Sequence, residues 1–348
     1  MKSNPATKIG LLTVCLSACA GMGKPHQGAE SRLSADENAG LARIRQKVDG
    51  VIVWSSARFG NHDILLMKTD GTGVKALTSG EEVDWYPRFS PDGKQILFVR
   101  SKQGWVSEQD ANRPEKWDQY VMDRDGGNLH RVAADASWGT WVDGQRILIA
   151  RKTSLYIKHL GTGAETLLLD ANAAPDLAGA ELQNPHLSPD EKFVAMTLRG
   201  ARRETGIFNL EGKTWVRTGE GCQINWFPQG DRILWVNPSG NGDSEVLAEP
   251  IKNGAPTSAL ALEQTRFIDI PGRRSHEYFP QLDRSGKWLV WAATQRGHDH
   301  DIADYEIYIW EVGTPADQAT RLTFHSANDR WPDIYIPCPC AGKQAGEK

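Results

Sequence analysis

The stretch His298-Asp299-His300-Asp301 sets two imidazoles beside two carboxylates, groups suited to ligate a divalent metal or to move protons. On an extended segment neighbouring side chains point to opposite sides, so one parity alone, the two histidines or the two aspartates, faces a common ion. The same chemistry recurs at His62, within Arg58-Phe59-Gly60-Asn61-His62, and at His276. Trp105 and Trp117 bracket a long polar insertion and offer aromatic anchors for a partner. A divalent metal is one reading of this set and a solvated polar loop the other; no further cofactor is indicated.

A second chemical signal lies near the start. Lys2 and Lys8 flank a short apolar run, Ile9 to Leu16, too short to span a bilayer and followed by Leu16-Ser17-Ala18-Cys19. This resembles the lipobox of bacterial lipoprotein precursors, which implies cleavage before Cys19 and acylation of its thiol. Residues 1–18 are then a signal peptide, and the mature protein is held on the membrane by its lipid, facing the periplasm from the outer membrane. Residues 19–49 are polar and rich in Gly, Ser and Ala, so they read as a flexible tether with room for a short helix near Leu41 to Lys47. Residues 338–348 read as a disordered tail. Cys222 reads as a small buried apolar residue, and Cys338 and Cys340 as part of the tail.

The chain has 348 residues, a formal charge of −4 and both signs scattered along it, which suggests no basic face for nucleic acid. Thirteen tryptophans and 34 glycines at a mean hydropathy of −0.49 suit many short, half-exposed strands.

Those strands are organised by a repeat. Its clearest copy is Trp85-Tyr86-Pro87-Arg88-Phe89-Ser90-Pro91-Asp92-Gly93-Lys94, followed by the apolar strand Gln95 to Arg100. Weaker copies start at Asn184, Asn225, Tyr278 and Arg330, and a degenerate one, Trp138-Gly139-Thr140-Trp141, is shorter by one residue. Pro presets a turn, Asp or Ser bonds the local backbone, and Gly accepts the positive φ that reverses the chain. A second hairpin follows in each unit, as in Asp63 to Lys68, Asp70-Gly71, Val74 to Thr78. Four strands per unit make a propeller blade.

The segments "YPRFSPDGKQILFV" and "DILLMKTDGTGVKALT" resemble the TolB-type propeller repeat, and the likeness covers about residues 50 to 336. It implies an all-β fold: a six-bladed β-propeller over residues 50–337 with four-stranded blades. The landmark after the inner polar residue occurs six times, at Phe89, Trp141, Leu187, Trp226, Leu282 and Ile334. No strand lies one period before Phe89, so Arg330 to Ile336 is expected to close the ring beside Val51 to Ser56.

The polar residue before each landmark is Arg88, Thr140, His186, Asn225, Gln281 or Asp333, and alternation points all six into the central channel. A hydrated tunnel and a small-ligand site are the two readings of that ring. The long segments fall on one face, and those of blades six, one and two are expected to gather His62, Trp105, Trp117, His298, His300 and Asp301 in one sector, with His276 on the same face. Long loops are frequent carriers of function. No Gly-x-Ser-x-Gly elbow is present and no length remains for a hydrolase domain. The sequence therefore points to a monomeric, noncatalytic envelope module binding a protein, peptide or glycan on its long-loop face. A metal- or His-assisted polysaccharide lyase or hydrolase working at the channel mouth is the alternative.

Overall fold

The computed structural model describes residues 29–238, 244–257, 265–297 and 299–337. Cys19, His298 and the Cys338-Pro339-Cys340 tail lie outside the described residues.

The repeat folds as its turn chemistry requires. In each unit consecutive strands pair antiparallel, giving separate four-stranded sheets at Asp84–Phe89 to His130–Ala133, at Trp138–Trp141 to Glu165–Asp170 and at Ala180–Leu187 to Thr214–Gly219. Another four-stranded sheet takes Val51–Ser56, Asp63–Lys68 and Lys75–Ala76 from the start of the domain and Asp329–Tyr335 from its end. In it Val51 pairs with Tyr335, Ile52 with Ile334 and Ser56 with Asp329. The remaining strands, from Cys222–Trp226 to Thr320–Arg321, form one nine-stranded sheet. It comprises two antiparallel sets joined by a single parallel pair, Ser244 with His276. The architecture is an all-β propeller built from four-stranded antiparallel blades.

Apolar residues fill the spaces between facing sheets. Val53 and Ile64 of the first sheet meet Phe89, Ile96 and Phe98 of the second, while Leu97 and Val121 of the second meet Ile147 and Ile149 of the third. The two halves of the nine-stranded sheet pack on each other in the same way, Leu234 and Val246 against Leu289, Trp291 and Trp310. At the Pro91-Asp92-Gly93 turn, Gly93 has φ +67, and a Cβ there would strike the Tyr335 ring at 2.4 Å. Glycine is thus required both by the backbone and by the neighbouring sheet.

The stretch read as a tether is partly ordered. Ala35–Lys47 is an α-helix whose Ser34 and Glu37 form a reciprocal capping box. It lies across the gap between the last and first sheets: Gly40 sits against Thr320, Arg43 donates to the Gln318 carbonyl at 2.9 Å, and Arg45 pairs with Asp70 at 2.7 Å. Burial of Ile44 on this side makes the helix pay for its own ordering.

Asp63 begins an inner-sheet strand, is buried, and faces Asp84. Burial, reinforced by the Asp84 charge, pushes its carboxyl up to about 7. The folded state therefore holds a proton that the unfolded chain releases near its ordinary value of 3.8, so this contribution to stability is present in acid and declines as pH climbs from about 4 to about 7. Asp63→Asn, a mimic of the neutral acid, is expected to match the native protein at pH 5 and to melt at a higher temperature than it at pH 8. Thermal denaturation at both values checks this; equal melting of the two proteins at pH 8 would refute a protonated Asp63.

Candidate functional site

The inner strands hold the unexpected feature. Five of them contain a bulge with a left-handed residue, at Tyr86, Asn184, Gln223, Phe279 and Trp331, with φ between 48° and 61°. Such a φ is costly for bulky residues, by about 1–3 kcal/mol, and is held only where surroundings impose it. Here the bulge swings the side chain to the propeller axis. The Tyr86 ring meets Trp138 and Trp331 at 5.0 Å, Trp138 meets Trp85 at 4.8 Å, and Phe279 meets Trp331 at 4.2 Å. The short second copy, Trp138–Trp141, pairs without a bulge, which accounts for its missing residue. Aromatic rings thus plug the channel part of the way down.

The ring of six polar residues lies on the compact-turn side of that plug. Arg88 stacks its guanidinium 3.9 Å from the Tyr86 ring, Asn225 donates to Gln281 at 2.8 Å, and Thr140 donates to the Pro185 carbonyl at 3.2 Å. Burial and then the Arg88 charge lower His186 to about 3, so it is neutral. Burial raises Asp333 to about 6, although Arg88 opposes the rise, and its carboxylate accepts from the Phe89 amide at 2.7 Å. The plug interrupts the continuous tunnel that alternation alone suggests, and on this side of it the Arg88 Nε and Nη2 atoms have no partner among the described residues.

On the other side of the plug the long loops do converge. Glu108, in the insertion between Gln95–Ser101 and Trp117–Asp123, accepts from Trp331 Nε1 at 2.8 Å and pairs with Arg330 at 2.8 Å and His300 Nδ1 at 2.7 Å. Asp301 pairs with Arg330 at 3.2 Å, and one of its oxygens accepts from the Glu108 amide at 3.1 Å. His62 Nε2 donates to the Asp301 carbonyl at 3.1 Å, and Trp105 stacks on the His62 ring at 5.9 Å. Burial, then the Arg330 charge, pushes His62 well below its ordinary value and keeps it neutral. Burial would raise Glu108, but the His300 and Arg330 charges and two side-chain hydrogen bonds outweigh it, so its carboxylate titrates below the usual range.

Glu108, His300, Asp301 and Trp331 line a cavity of about 400 Å³, with Arg330 and His62 bracing them from behind. Trp138 and Trp331 lie at its base, Gln183, Asn184, Thr197 and Gln223 along its side, and Gln109, Asp299, His300 and Asp301 toward the loops. It is a cup. Among the described residues no group of three or more His, Cys, Asp or Glu side chains is arranged to hold a metal; Asp301 and Glu108 are engaged by Arg330 instead.

Three sequence-derived expectations change. Trp117 is fully buried, with its Nε1 donating to the Asp110 carbonyl at 2.9 Å and its ring against Trp85, because the strand begins at Trp117 and the loop before it folds back as 3-10 turns. It cannot serve as an exposed anchor. His62 is likewise buried and acts as a wall support, while Trp105 remains half-exposed. His276 starts an inner strand, half-buried, and does not line the cup. Glu108, Arg199, Arg330 and Trp331 were not legible as site residues. For Arg330 and Trp331 the signal was the orphan repeat copy Arg330-Trp331-Pro332, in which Trp331 is the bulge residue; Glu108 and Arg199 stand in no repeat copy.

Fold and cup together define a class: a β-propeller whose blades frame a closed-bottomed pocket at one channel mouth. No family model matches the chain. It is 31% identical over 107 residues to an uncharacterized protein of Agrobacterium fabrum, covering 30% of this chain and 35% of that one. It is 32% identical over 77 residues to a TolB homolog of Chlorobium luteolum, covering 22% and 18%. The chain thus matches about a third or less of the length of these relatives. A structure assigned to TolB of Agrobacterium tumefaciens superimposes with a TM-score of 0.52 at 14% identity, over 83% of this chain and 98% of that one. At that identity the likeness is one of fold, and the fold is a TolB-like β-propeller.

Proposed function

We propose that this chain is a six-bladed propeller, closed by its C-terminal strand and anchored in the cell envelope through Cys19, that binds a protein, peptide or glycan partner at the long-loop cup without acting on it. Three observations support six blades. Asp329–Tyr335 pairs along Val51–Ser56, the nine-stranded sheet divides at one parallel pair, and its halves pack face to face like the separate sheets. The observation that carries the binding role is the cup itself: a polar-walled cavity with an aromatic base, set on the inner strands and walled on one side by loops longer than the fold needs. Its wall is braced by paired charges, which gives a preorganised surface at small entropic cost to a ligand.

One feature favours the catalytic alternative. His300 is oriented by Glu108 at 2.7 Å and lines the cup, an arrangement that serves proton transfer on a polysaccharide. The two readings part on what the envelope partner does after contact.

The test uses a photo-crosslinking residue in place of exposed Gln109 at the cup, and in place of exposed Lys94 on the opposite face, in the native envelope. The binding reading expects one discrete partner joined at 109 and none at 94. Equal yields from both positions, or partner glycans shortened by the native protein and left intact by His300→Gln, would overturn it.

A further inference from the structure

The cup carries two charges that no ion pair among the described residues neutralises, of opposite sign and on different elements. Arg199 ends the strand Phe193–Gly200 and makes no ion pair among the described residues; its guanidinium donates to the Leu198 carbonyl at 3.0 Å and lies beside the Cys222 thiol. Arg203 adds a second positive charge nearby. Burial lowers the affinity of Arg199 for its proton, the signature of a cation short of counter-charge. From the loop between Trp288–Thr294 and Glu306–Glu311 comes Asp299, exposed at the rim, whose carboxylate accepts from the Asp301 amide at 2.9 Å and makes no ion pair among the described residues. The other carboxylates of the cup, Glu108 and Asp301, are engaged by Arg330.

A lone anion in this cup would satisfy Arg199 and confront Asp299; a lone cation would do the reverse. A molecule with both charges satisfies both, and the volume of about 400 Å³ lies within the usual range for small-ligand pockets. The rings of Trp138 and Trp331 give it an apolar base, and the Gln183 amide supplies both a donor and an acceptor.

We infer that the cup takes a small zwitterion, an amino acid or dipeptide, with its carboxylate on Arg199 and its ammonium on Asp299. This rests on the cup being the binding site and names the ligand it receives.

The test is calorimetric titration of the full-length protein in detergent with L-alanyl-L-leucine, its N-acetyl form, its C-terminal amide and the doubly blocked form. The dipeptide is expected to bind one to one, and each single block to weaken binding about tenfold or more, the scale of one charge-assisted hydrogen bond. Arg199→Gln should weaken the dipeptide by a similar factor while leaving the amide unchanged, and Asp299→Asn should do the same with respect to the N-acetyl form. Arg199→Lys should restore part of the loss. Equal affinity for the free and doubly blocked dipeptides, or no heat with any of them while crosslinking at 109 still captures a partner, would overturn the zwitterion and leave the binding role standing. Dipeptide binding with no crosslinked partner would support the zwitterion and remove the macromolecular partner.

Discussion

Trp331→Ala is expected to destabilise the protein by about 4 kcal/mol, within the range for emptying a buried tryptophan site. The indole is almost fully buried, touches Tyr86, Trp138 and Phe279 across the axis, and donates to Glu108 at 2.8 Å. Its removal takes rings from the plug and a donor from a buried carboxylate at once. Trp331→Phe separates the two effects: it keeps most of the ring volume and loses the donor, and a cost of about 1.5–3 kcal/mol is expected for a hydrogen bond to a charged group. Denaturant unfolding of the three proteins gives both numbers. A Trp331→Ala protein within 1 kcal/mol of the native one would mean that the plug is not what holds the inner strands together.

The parts of this architecture legible in the sequence are those with local causes. Pro91-Asp92-Gly93 and Asp70-Gly71 announce hairpins through their own backbone preferences, and the strands at Val51–Ser56 and Asp63–Lys68 lie where the pattern places them. The convergence of the loops bearing His62, Ser107 and Asp301 follows from the expected order of the units around the axis. The plug was hidden because strict alternation assumes an unbroken pleat, whereas the bulges at Tyr86, Asn184, Gln223, Phe279 and Trp331 insert a residue and turn it inward. The short copy at Trp138 held the clue, since its missing residue is the bulge itself. Of the helix Ala35–Lys47 only the second half, near Leu41 to Lys47, was expected; the Ser34 and Glu37 capping box starts it earlier, and its polar composition concealed the side that packs on the propeller. The ion pair of Glu108 with Arg330 joins residues far apart in the chain, and no local pattern can reveal it.

The strand Asp329–Tyr335, paired along Val51–Ser56, brings Arg330 and Trp331 beneath the loops, and the proposed closure of the ring rests on it, so the most direct measurement is equilibrium unfolding of two truncated chains. Ending the chain before Asn328 removes the strand Asp329–Tyr335, exposes the edge at Val51–Ser56, and takes away the Arg330 and Trp331 contacts of the cup. That protein is expected to aggregate or to lose its single cooperative transition, while the chain ended after Pro337 unfolds in one step at the native midpoint. Indistinguishable midpoints and cooperativity for the two truncated proteins would contradict a propeller closed by its C-terminal strand.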